Sequence, residues 1–152
     1  MALRGDLLSA TKTSMLAGDA PRTSCLRMIA AKLKDTDIAA RPKGVTAISD
    51  DEILAMLRGM VKSRRESVEM YLAGGRPELA AKETAEIAVI EGFLPTALDD
   101  EAFGAIVAAA IAASGAASVK DMGKVMGVLK AQHGATLDMA RAGAMVRAKL
   151  SA

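Results

Sequence analysis

The side chains able to do chemistry are few and scattered. Glu83 and Glu86 stand three residues apart, a spacing that puts both carboxylates on one face of a helix. Paired carboxylates can divide general-acid and general-base work, but no nucleophile or second base accompanies these two. Helical phase instead places Arg64 on the apolar side of the preceding segment, opposite them across Gly74-Gly75. A guanidinium fork facing two acceptors reads as a structural ion pair, so Arg64, Glu83 and Glu86 are assigned to fixing helix register. Cys25 lies among Arg22 and Arg27, whose charge would lower a thiol pKa, although no histidine adjoins it. As the single cysteine it excludes an internal disulfide and argues against a cysteine-based zinc site. His133, the one histidine, precedes Gly134 at a helix end, where a contact with the helix dipole accounts for it. Lys124 in Gly123-Lys124-Val125-Met126-Gly127 lacks the spacing of a phosphate loop, and the two small residues read as permitting a close helix crossing. No catalytic residue, metal site or cofactor is assigned.

Two groups of cations suggest binding rather than catalysis. Arg22, Arg27, Lys32 and Lys34 precede any acid on the second helix, and Arg58, Lys62 and Arg65 follow i, i+4, i+7 spacing on the third. Either group could track phosphates. The alternative is an ordinary solvated face, since Asp35, Asp37, Glu66 and Glu69 lie close by. Net charge is only +2 and is flat between residues 1–94 and 95–152, so a nucleic-acid site depends on local clustering. Tyr71, Phe93 and Phe103, the only aromatics, occupy apolar positions and leave no platform for unpaired bases. An RNA bound here would be structured and read through its backbone.

Helices must position these groups. In 152 residues the chain is half apolar, yet much of that is alanine, and the core has to rely on Leu, Ile, Val and ten Met. Leu3, Leu7, Leu8, Thr11 and Met15 recur at helical spacing up to Gly18-Asp19. A second helix starts near Pro21, sets Leu26, Ile29 and Leu33 on one face and reaches about Ile38. Ser49-Asp50-Asp51-Glu52 is a capping box opening a long helix with Ile53, Leu57, Met60, Val61, Val68, Tyr71 and Leu72. Pro77 begins a fourth helix with Leu79, Ile87 and Ile90. Phe93-Leu94-Pro95 breaks the pattern, which predicts a lobe boundary between residues 1–94 and 95–152. Beyond it Asp99, Ser118 to Asp121, and Asp138 read as the caps of three further helices. The expected fold class is all-α: a lobe of about four helices with a long helical hairpin, then a small three-helix lobe.

Several blocks together resemble the GatB/YqeY family: Val61-Lys62-Ser63-Arg64-Arg65-Glu66-Ser67, Tyr71 through Ala80, Glu83 with Glu86, Phe93-Leu94-Pro95, and Val119 through Gly127. The resemblance covers nearly the whole chain. It implies a helical lobe followed by a three-helix lobe, related to the tail of the B subunit of the glutamine-dependent tRNA amidotransferase, a tail associated with tRNA binding. The family usually carries a basic, glycine-rich run of the type Gly-Arg-Ala-Asp-Gly-Lys after the sixth helix. Here Gly134-Ala135-Thr136-Leu137-Asp138-Met139 keeps the capping aspartate and lacks the bases. Any RNA contact is thereby moved to the second and third helices.

The expectation is a non-catalytic module that binds tRNA or accompanies an amidotransferase. The alternative is a protein-interaction module docking on an enzyme or a translation-linked complex; a component with carbon–nitrogen ligase activity using glutamine as amido donor is the third reading. The expected partners are tRNA or a protein of the translation machinery. No apolar run approaches the ~20 residues that span a bilayer, and the start of the chain lacks a secretory h-region, so no membrane partner is expected. The protein is expected to be cytoplasmic.

Overall fold

Glycines and short polar caps set the helix ends. At the end of the first helix, Gly18 takes φ +71°, its amide donates to Met15 O, and the amide of Asp19 reaches back to Ser14 O. Gly75, also at φ +71°, and Arg76 close the third helix through the same pair of bonds, to Leu72 O and Tyr71 O. The Ser49 box is complete: Ser49 Oγ accepts from the Glu52 amide at 3.2 Å, and Glu52 accepts from the Ser49 amide at 2.8 Å. The computed structural model describes residues 2–95 and 98–151. It is all-α, with α1 (Ala2–Leu16), α2 (Ala20–Ala40), α3 (Asp50–Ala73), α4 (Pro77–Glu91), α5 (Asp100–Ser114), α6 (Met122–His133) and α7 (Met139–Ser151). No strand occurs among the described residues. Residue contacts divide the chain into two units, Met1–Pro95 and Thr96–Ala152.

In the first unit, α3 and α4 form an antiparallel hairpin, and α1 and α2 pack on each other and on it. Leu7, Leu26, Ile29, Leu33, Ile53, Leu57, Val61 and Ile90 make its core. Three apolar positions at helical spacing face outward: Leu8 is 67% exposed, Met15 52% and Leu72 58%. Leu8 lies about 100° around α1 from the buried Leu7, beyond the reach of the single side that packs. At the opposite end of this unit Arg4 binds Asp37 with two bonds of 2.8 and 2.9 Å and also donates to Ile48 O. The Ile48 amide donates to the same aspartate at 2.9 Å, so one carboxylate ties α1, α2 and the entry to α3 together.

The second unit closes around Phe103, Val107, Ala110, Val125, Leu129, Leu137, Ala142 and Val146. Arg141 of α7 lies 4.2 Å over the Phe103 ring and bonds Asp100 and Leu98 O, pinning the start of α5. Two expectations fail here. Ser118 makes no cap bond; Val119–Asp121 is a 3-10 turn, and Asp121 accepts from the Ala117 amide at 3.0 Å, upstream of the turn. Gly123 and Gly127 permit no close crossing, because a Cβ at either would meet nothing within 4 Å, whereas a Cβ at Gly143 would come into ordinary contact with Met122 Cε at 3.5 Å.

Across the hairpin, Arg64 Nε lies 3.1 Å from Glu86 Oε2 and 3.9 Å from Glu83 Oε2, with its side chain 15% exposed. Arg64 also donates to Met60 O, while its other terminal nitrogen lies 3.9 Å from Met28 Sδ. Replacing Arg64 by Ala strands both carboxylates and should cost about 2–4 kcal/mol, while Arg64→Met with Glu86→Met should recover most of it. Urea unfolding followed by circular dichroism reads both values; an Arg64→Ala variant as stable as wild type refutes the clasp. The Arg4 bond and the Ile48 amide hold the Asp37 carboxyl below the usual carboxylate range. A carboxylate whose pKa falls on folding stabilises above its unfolded value, and that contribution fades as pH drops through the folded value. Wild type should therefore lose stability below about pH 4, and Asp37→Asn should be weaker at neutral pH with a flatter acid limb in thermal melts from pH 2 to 7, taken as an approximate range.

Candidate functional site

Arg58, Lys62 and Arg65 project from the rigid middle of α3. At 100° per residue they fall within about 60° of arc. That arc lies away from Ile53, Leu57 and Arg64, which face inward. Asp51 and Glu69 stand on the same side one or two turns beyond either end, and Glu66 lies at its edge, so the central stretch of the stripe is cationic. Arg65 bonds Glu91 of α4 at 2.6 Å, an exposed pair that holds the guanidinium without burying it. Arg58 and Lys62 have no ion-pair partner among the described residues. The start of α3 is acidic at Asp50, Asp51 and Glu52, which suits the positive end of the helix and keeps the stripe in its middle.

The bases of α2 have a different arrangement. Arg27 and Lys34 share one side, Lys32 points about 140° or more away from both, and Arg22 takes another direction at the helix start. All four are exposed, yet one flat partner cannot meet all of them. The structure instead brings Lys32 beside Lys43, with Glu52 and Met56, in an open groove of about 500 Å³ between α2 and the start of α3. Lys43 belongs to the 3-10 turn Arg41–Lys43, closed by Gly44 at φ +79°; the Pro42-Lys43-Gly44 loop was legible, its approach to Lys32 was not.

Cys25 is not a reactive thiol. It is 1% exposed, and burial, then the neighbouring Glu86, raises its pKa, outweighing Arg64 and Arg22. Its Sγ lies 3.8 Å from Glu86 O, so it packs against the hairpin clasp. Glu83 and Glu86 are occupied by Arg64. Among the described residues no group of three or more His, Cys, Asp or Glu is placed to hold a metal ion. No single described helix is long and apolar enough to cross a membrane. What the surface offers is a cationic stripe on α3, together with exposed apolar side chains on α1 and α2.

A family model described as Yqey-like protein matches residues 4–150. The chain is 32% identical over 93 residues to altered inheritance of mitochondria protein 41, mitochondrial, of Eremothecium gossypii, covering 59% of this chain and 49% of that protein. Proteins of the same name from two strains of Saccharomyces cerevisiae are 28% identical over 92 residues, covering 60% of this chain and 46% of theirs. The chain spans about half the length of the curated relatives it matches. Those relatives are named as mitochondrial, which overturns the cytoplasmic expectation. One cysteine and the want of a long apolar run report on redox environment and membrane insertion; neither is an address within the cell. With the family model running from α1 through α7, the chain belongs to the YqeY-like protein family.

Proposed function

We propose that this protein is a non-catalytic module that holds structured RNA, tRNA in the first place, through phosphate contacts along α3. The observation that carries the reading is the stripe of Arg58, Lys62 and Arg65 along one side of a helix, Lys62 and Arg65 exposed and Arg58 half-buried, whose opposite side is locked into the core. The resemblance to the amidotransferase B-subunit tail supplies tRNA as the class of RNA, and the missing bases after α6 direct the contact to the first unit. Three cations about one turn apart match the spacing of backbone charge better than they match base edges, so recognition is by shape. Glu83 and Glu86 serve the fold, and the chain supplies binding and orientation to a reaction carried out elsewhere.

Exchanging Arg58, Lys62 and Arg65 together for Gln should weaken tRNA binding and flatten its log–log salt dependence by roughly 2 for three lost phosphate contacts. Labelled tRNA titrated at several salt concentrations reads both quantities, with circular dichroism verifying the helices. Scrambling loop bases while keeping the tRNA fold should leave affinity nearly unchanged. Arg64 stays out of the set, since its loss would disturb the hairpin and mimic a binding defect. A folded triple variant that binds as wild type does removes the α3 stripe, and no binding by wild type at low salt removes RNA altogether.

A further inference from the structure

The outward side of α2 carries a pattern the RNA reading does not use. Arg27, Ala31 and Asp35 lie one turn apart along it, with Ser24 and Ile38 a further turn out at either end. Ala31 is therefore the centre of an antisymmetric arrangement: a cation four residues before it and an anion four after, a small residue seven before and a bulky apolar one seven after. All five are exposed. Arg27 and Asp35 have no ion-pair partner among the described residues. Ile38, 43% exposed, is a large aliphatic side chain facing outward. An open groove of about 610 Å³ lies around Ser24, lined by Met15, Gly18, Arg27, Met28 and Ala31.

We infer that α2 is a self-association surface and that its occupant is the α2 of a second copy, antiparallel, with the two-fold axis at Ala31. A two-fold contact is isologous, so every interaction occurs twice and the surface must complement itself. Antiparallel pairing about Ala31 sets Arg27 against the partner's Asp35 and Asp35 against the partner's Arg27. It also sets Ile38 of each copy against Ser24 of the other, at the groove between Met15 and Met28. Ala31 at the crossing and the small Ser24 beside it allow the two helix axes to approach closely. Methionine walls adapt to an inserted aliphatic group without a fixed shape. A foreign helix could fill the groove, but only this chain is shown to carry both the knob and the counter-charges at matching distances. The pairing needs none of the α3 cations, so it stands or falls independently of RNA binding.

One helix pair buries less than the ~1,200 Å² of a standard stable interface, so the dimer should be weak, with a Kd on the order of 10–100 µM. Sedimentation velocity of the full chain from about 5 to 500 µM, bracketing that Kd, should show a reversible monomer–dimer shift. Arg27→Asp should abolish it by facing Asp against Asp, and Asp35→Arg should abolish it by facing Arg against Arg. Because both positions are exposed, each variant should keep the wild-type circular dichroism spectrum and melting temperature. Mixing the two variants should restore a dimer, now a heterodimer, as should the double swap Arg27→Asp/Asp35→Arg in one chain. A wild type that stays monomeric throughout overturns the inference. So does a dimer that neither single variant weakens, or single variants that fail to associate when mixed.

Discussion

Arg64 sits on the side of α3 that must pack, where its half-buried guanidinium has lost much of its water, so a carboxylate has to come to it. Only α4 can deliver one, and it does so with Glu86 at 3.1 Å and Glu83 behind. Because both helices are rigid, satisfying one arginine sets how far α4 slides along α3 and how both are rotated. Cys25 and Met28 of α2 then close over the clasp, against Glu86 O and the Arg64 guanidinium, which seats α2 as well. With Arg64 facing in, the phase of a helix leaves Arg58, Lys62 and Arg65 facing out. The candidate site follows from the orientation of one inward arginine.

Composition explains why arginine clasps recur. With two Phe, one Tyr, no Trp and abundant Ala, neither unit has large side chains whose shapes would exclude alternative packings. Leu-, Ile- and Val-rich cores give cohesion but tolerate small slips between helices. Directional polar bonds remove that freedom. Arg4 on Asp37 does so where α1, α2 and α3 meet, and Arg141 on Asp100, Leu98 O and Phe103 does so between α5 and α7. These last two clasps join residues more than thirty positions apart, a separation over which register is otherwise poorly specified.

Most of the fold was legible because helix ends are local chemistry. Ser49, Asp99 and Asp138 accept from amides two or three residues on, and Gly18 and Gly75 adopt a positive φ within their own turns. The errors share one cause, dependence on neighbours that spacing does not reveal. Leu8, Met15 and Leu72 are large apolar residues read with the helical pattern, yet each faces outward. Ser118 resembles a cap, but the Ala117 amide takes the Asp121 carboxylate first. Cys25 was weighed by the arginines adjacent in sequence, whereas its environment is burial and the Glu86 brought by α4. The α3 stripe could be read from spacing alone, because three cations on one regular helix need no tertiary information to align.

The outward faces of α3 and α2 differ in how charge is arranged. Along the middle of α3 the outward charges are of one sign, and a like-charged stripe repels a second copy of itself while attracting a polyanion. Along α2 the outward Arg27 has its opposite, Asp35, two turns away with the small Ala31 between them, and Lys34 shares the side of Arg27. The Arg27 and Asp35 pair can meet its own inverse without repulsion. Net charge averages the two faces to +2 and conceals both. What separates the two helices is therefore less the number of cations than whether the counter-charge lies on the same helix or has to come from outside.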